Sequence, residues 1–157
     1  MTAAVEIVHC NSADHLATIS KFKDEGFEMC ADLCAVDYVA HPGRALPEGV
    51  EAQRFEVVVN LLSVSARKRV RIRTQVSGEE PIVDSIANLY PGAEAMEREA
   101  FDLLGVRFEG HPDLTRILMP DDWEGHPLRK DFPVARVPIQ FKAPASARSG
   151  VPKATRP

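Results

Sequence analysis

Residues 97–133 read EREAFDLLGVRFEGHPDLTRILMPDDWEGHPLRKDFP. The first eight alternate charge and apolar side chains at helical spacing, and the run ends on Gly105. Ala93–Leu104 is therefore expected to be a helix, with Met96, Ala100, Leu103 and Leu104 on its buried side and Gly105 as its stop. The spacing also offers two i,i+4 ion pairs, Glu94 with Arg98 and Arg98 with Asp102. Val106–Phe108 is then a last short strand. Beyond it the pentapeptide aromatic-Glu-Gly-His-Pro occurs twice, as Phe108–Pro112 and as Trp123–Pro127. Between the two lies Arg116-Ile117-Leu118-Met119, and after the second comes Arg129-Lys130-Asp131, closed by Phe132-Pro133. A segment that only filled a core would not carry so many charges and turns. One that only stayed in water would not carry Phe, Trp, Ile, Leu and Met among them.

Working toward the N-terminus, Tyr90-Pro91-Gly92 breaks the chain, and Ile82–Leu89 reads as a helix with Ile82, Val83, Ile86 and Leu89 in one stripe. Arg67–Val76 alternates as a strand. Val70, Ile72, Thr74 and Val76 lie on one side, and Arg69, Arg71, Arg73 and Gln75 on the other. That arginine row is either a solvated face or a docking face for an acidic partner. Arg54–Leu62 is a strand rich in β-branched residues. Phe27–Val39 reads as a further strand, followed by a loop from His41 to about Ala52. Val5–His9 is a short strand. Ser12 is placed to cap a helix over Ala13–Glu25, with Leu16, Ile19 and Phe22 on one face and Gly26 as its stop.

The pattern gives an α+β domain over residues 1–133, with a mixed β-sheet packed against helices in two layers. Residues 134–157 change character. They hold five basic residues and no acidic one, so the first 133 carry −9 once that +5 is removed from the total of −4. With Pro138, Pro144, Pro152 and Pro157 among them, they read as an extended basic C-terminal tail. A hydrophobic content of 45% and a charged content of 27% suit a globular domain with a real core. The negative total argues against nucleic acid. Met1–Glu6 has neither a basic start nor a long apolar core, so no secretory leader is expected, and no stretch is long enough for a membrane helix.

Candidate chemistry is sparse. His111 and His126, with Glu109 and Glu124, have the atoms of a zinc site, but each His precedes Pro in a turn. The other reading is that these imidazoles bond to backbone or to partner carboxylates. Cys10, Cys30 and Cys34 lack a Cys-x-x-Cys spacing and are too few for a four-thiolate cluster. Asp121-Asp122 reads as a turn leading into a helix cap, and no phosphate-binding glycine loop is present.

Glu97-Arg98-Glu99-x-Phe101-Asp102-Leu103-Leu104-Gly105-Val106-x-Phe108-x-Gly110-His111-Pro112-Asp113-Leu114 resembles the signature of the 30 kDa subunit family of the proton-pumping NADH:quinone oxidoreductase, respiratory complex I. Arg116-Ile117-Leu118 and Gly125–Pro133 resemble its continuation, while Ala95 stands where that family usually has Trp. The resemblance implies a two-layer α/β fold in the peripheral arm, on the cytoplasmic side of the bacterial plasma membrane. Membrane contact is then expected only through the complex. It implies no FMN, iron–sulfur cluster or quinone ligand in this chain, these belonging to partner subunits, and no catalytic residue. Its neighbours would be the large quinone-site subunit and nearby iron–sulfur subunits. The residues expected to serve assembly are Glu97, Arg98, Glu99, Asp102, His111, Asp113, Arg116, His126, Arg129, Lys130, Asp131 and Phe132. Equivalent subunits of membrane-bound hydrogenases or photosynthetic NDH-type complexes, a free-standing binding module, and a metal-dependent enzyme are the other readings.

Overall fold

A computed structural model describes residues 5–41 and 43–133. The expected tail over 134–157 lies outside them. Strands β1 (Glu6–Asn11), β2 (Met29–Asp37), β3 (Phe55–Ser63) and β4 (Lys68–Val76) form one mixed sheet in the order β1-β4-β3-β2. β1 runs parallel to β4, and the other two pairings are antiparallel. Register fixes the faces. Val57, Val59 and Leu61 of β3 pair with Thr74, Ile72 and Val70 of β4, and all six are at most 1% exposed. This is the inner face predicted by the alternation of β4.

Helix α1 (His15–Asp24) and helix α2 (Glu94–Leu104) contribute to the core on that face, through Ile19, Phe22, Ala100 and Leu104. α1 begins two residues later than expected. The amide just before it is held by the Asn11 side chain, which accepts from the Asp14 N–H at 2.9 Å. His15, Ile19 and Phe22 share the inward face at i,i+4 and i,i+3 spacing and Leu16 is exposed, so the expected Leu16 position is corrected. Gly26 ends the helix with φ +90° and Gly105 ends α2 with φ +74°, as positions in the left-handed region require.

The predicted helix over Ile82–Leu89 is not formed. Ile82–Asp84 is a strand, β5, paired in parallel with β6 (Arg107–Glu109), so that Val83 lies opposite Phe108. Both are at most 2% exposed. A short apolar stripe fits either element, and a pairing partner far along the chain decided it. After β5 the chain turns at Ser85–Tyr90 and enters α2 through a single 3-10 turn, Pro91–Ala93. Asp121-Asp122 lies in a turn, as expected, with the Trp123 N–H bonded to the Pro120 carbonyl at 3.0 Å, but no helix follows. No helix among the described residues is long and apolar enough to cross a membrane.

Candidate functional site

Two carboxylates of α2, Glu97 and Asp102, are fully buried. A helix exposes charge unless something specific repays its desolvation, and each has such a partner set. The Asp102 Oδ2 accepts the N–H groups of Ile117, Leu118 and Met119 at 3.1, 2.8 and 2.8 Å. Its Oδ1 accepts from Arg116 Nη1 at 2.6 Å. Burial pushes the Asp102 carboxyl up, but the amides of Met119 and Leu118, the Arg116 guanidinium and the amide of Ile117 outweigh it. They pull the carboxyl down to about 2. Arg116 also donates to the carbonyls of Asp102, Trp123 and Gly125 at 3.2, 2.9 and 3.1 Å. One ion pair thus pins the stretch Arg116–Met119 and the start of the second pentapeptide onto the last turns of α2.

Glu97 holds the other side. Its Oε2 accepts the Ser85 hydroxyl at 2.6 Å and its Oε1 the Ile86 N–H at 2.7 Å. Burial raises its carboxyl, against the pull of those two donors and of His111, whose Nε2 lies 3.9 Å from Oε2. His111 Nε2 also sits 3.1 Å from the Glu94 carbonyl, and His126 Nδ1 lies 2.9 Å from the Asp102 carbonyl. Both imidazoles are therefore bonded to backbone. Among the described residues no group of three or more His, Cys, Asp or Glu is placed to hold a metal ion.

Neither expected i,i+4 pair of α2 forms. Arg98 donates to the carbonyl and hydroxyl of Thr115 and to the Arg116 carbonyl, at 3.1, 2.8 and 2.9 Å. Asp102 turns inward to Arg116 instead. A local pair worth a few tenths of a kcal/mol yields to bonds that tie down a loop.

The charged knot is also tied inward. Arg129 Nε donates to the Leu104 carbonyl at 2.7 Å, and its guanidinium lies over the Phe55 ring at 5.3 Å. The backbone N–H of Lys130 donates to Asp37 Oδ2 at 3.0 Å. Asp131 pairs with Arg54 at 2.8 Å, and Arg54 grips Asp37 through Nε and Nη2 at 3.1 and 2.9 Å. Gly105 makes this possible: a Cβ there would stand 2.5 Å from Arg129 Nη2 and from His126 Cδ2. Phe132 stacks on Trp123 with ring centroids 6.5 Å apart. The Asp113 N–H donates to His111 Nδ1 at 3.0 Å. Glu99 is exposed on α2.

Ten of the twelve residues named from sequence thus meet in one contiguous brace, with Asp113 at its rim and Glu99 outside it. Sequence reasoning missed Asp37 and Arg54. The available signal was opposite charge at the facing ends of two strands joined by a loop. It also missed Glu56, buried on the outer face of the sheet, which takes Arg73 at 2.6 Å and Gln75 at 2.7 Å. Arg73 and Gln75 of the predicted row are thereby satisfied within the sheet. Beside the brace three large apolar side chains stand in solvent: Ile117, Leu118 and Leu128 are 41%, 57% and 51% exposed.

A family model described as respiratory-chain NADH dehydrogenase, 30 Kd subunit, matches residues 8–137. The NADH-quinone oxidoreductase C subunit of Salinispora tropica is 47% identical over 116 residues, covering 74% of this chain and 44% of that protein. Its counterpart in Moorella thermoacetica is 48% identical over 118 residues, covering 74% and 72%. The chain spans about half the length of several such relatives. Among solved structures, the trypsin-resistant fragment of Nqo5 superposes with a TM-score of 0.60 at 31% identity, over 69% of this chain and 81% of that one. A chain of an archaeal membrane-bound sulfane sulfur reductase shares the fold, with a TM-score of 0.67 at 22% identity over 85% and 76%. The brace residues Glu97 to Phe132 fall wholly inside the matched span, and the chain belongs to the family of the respiratory-chain NADH dehydrogenase 30 kDa subunit.

Proposed function

We propose that this chain is a scaffolding subunit of the peripheral arm of an NADH:quinone oxidoreductase. In that assembly electrons pass from NADH through FMN and iron–sulfur clusters to quinone, coupled to proton translocation. All of those groups belong to other subunits, and the chain reaches the membrane only through them. Its place is beside the large quinone-site subunit and the adjacent iron–sulfur subunits, on the cytoplasmic face of the bacterial plasma membrane.

One observation carries this reading. The inward-turned acids and bases of the family segment, Glu97, Asp102, Arg116 and Arg129, are bonded to the domain's own donors and acceptors, while Ile117, Leu118 and Leu128 are turned to solvent. The brace fixes the ledge from which these side chains project: the amides of Ile117 and Leu118 bond to Asp102, and that of Leu128 to the Leu103 carbonyl at 3.0 Å. A rigid display of apolar side chains beside charge already satisfied is what a protein interface needs. The charged residues act in assembly by holding that shape. Leu118→Asp, introduced in the native host, is expected to lower the yield of complex purified from membranes. Each complex that forms should oxidise NADH with quinone at the normal rate. Full assembly with a reduced rate per complex would mean that the segment serves the electron-transfer chemistry, and the reading fails.

A further inference from the structure

The sheet has two edges, and they differ. At one edge, β2 carries a register irregularity between Cys30 and Asp32, and Asp32 is exposed there. A bulge and a charge are the usual means of blunting an edge against further pairing. The other edge is β1. Its six residues pair with β4 in unbroken parallel register, Glu6 with Val70 through Asn11 with Gln75. Among the described residues nothing pairs with its far side. None of the six is buried, Ile7 is 52% exposed, and apart from exposed Glu6 at its first position no charge, Pro or bulge protects the strand. A regular edge of this kind presents a row of unpaired N–H and C=O groups.

The surroundings say what would fit. On the outer face Ile7 pairs with Arg71, and Arg69 stands one pleat further along β4; both arginines are exposed. Arg73 is occupied by Glu56 and Arg71 uses only its Nε, on Asn60 at 2.8 Å. A strand added to β1 lies about 10 Å from β4, within reach of a long arginine arm meeting an acidic side chain. At the C-terminal end of β1 a cleft of about 950 Å³ opens between the start of α1 and residues 49–53, lined by His9, Asn11, Ser12, Gln53 and Gln75. His9 Nδ1 is buried there without a hydrogen-bond partner. A second copy of this chain is a poor occupant. Two-fold pairing of β1 would bring two arginine strips together across only two strands.

We propose that the free edge of β1 is a strand-addition site for an extended segment of a neighbouring subunit. That segment carries an apolar residue beside Ile7 and acidic residues toward Arg69 and Arg71, and its end enters the His9 cleft. The proposal rests on the reading of the chain as one member of a larger complex. Main-chain pairing supplies the affinity, and the arginines and Ile7 supply the choice of partner.

Residue-resolved hydrogen exchange on the free chain and on the native complex tests it. In the free chain every second amide of β1 should exchange fast. In the complex these should slow by about 100-fold or more, because exchange must then open a paired strand. A photo-crosslinker at position 7 should capture another subunit, and Ile7→Lys should lower complex yield several-fold while the free chain melts as before. Fast exchange of those amides in a complex that contains the chain overturns the proposal and leaves the wider reading of the chain as a scaffold intact. Capture of residues 134–157 of the same chain, or of a second copy, also overturns it. A complex that purifies without the chain overturns that wider reading itself.

Discussion

Replacing Asp102 with Asn removes one charge and almost no volume. Its Oδ2 serves three backbone amides and its Oδ1 serves Arg116, whose side chain is 16% exposed. In Asp102→Asn one oxygen becomes an NH2 group. It must face either the guanidinium or the three N–H groups, so a donor meets donors in both rotamers. Leaving a buried charge without its partner costs about 3–5 kcal/mol. Protonation gives a smaller figure, about 2 kcal/mol, from a carboxyl pulled from 3.8 to about 2. The two differ because a protonated acid keeps an accepting oxygen. For a chain of this size the substitution should lower Tm by roughly 10 °C, at about 2–4 °C per kcal/mol. Urea unfolding of the full chain at several pH values is the assay. The carboxyl lies below its unfolded value, so its contribution is complete above about pH 4 and is lost as pH falls through about 2. The gap between parent and variant should be constant from about pH 7 to pH 5 and narrow from about pH 4 downward. A gap under about 1 kcal/mol at neutral pH, or one that does not narrow in acid, would refute the buried-pair reasoning.

Three further outcomes are expected. Gly105→Ala should destabilise the chain by about 2–4 kcal/mol, from the left-handed backbone and the contact with His126 and Arg129, read from urea midpoints. Arg129→Ala should cost the free chain about 1.5–3 kcal/mol, because the Leu104 carbonyl loses a charged donor; an unchanged melt would mean that Arg129 acts only between subunits. Alkylation at about pH 8 followed by peptide mapping should label exposed Cys34 first and Cys30 slowest, since burial pushes the Cys30 thiol up to about 11.

The local signals in the sequence were sufficient for most elements. Alternation in Lys68–Val76, the β-branched run Phe55–Ser63 and the glycine stops at Gly26 and Gly105 depend on near neighbours, so strands β3 and β4 and helices α1 and α2 were legible. The family segment was legible as well, because its order of charges, turns and apolar residues is itself the signal. Ile82–Leu89 was not: only pairing with Arg107–Glu109 makes its first residues a strand. Nor were the roles of Glu97 and Asp102. Helical spacing gave Asp102 to Arg98, and only the folded chain brings Arg116 and three amides to it. Buried charge is decided by what arrives from elsewhere in the chain, because desolvation is repaid only when all partners are in place. The unequal edges of the sheet have the same origin, since strand order is a property of the whole fold and of no single strand.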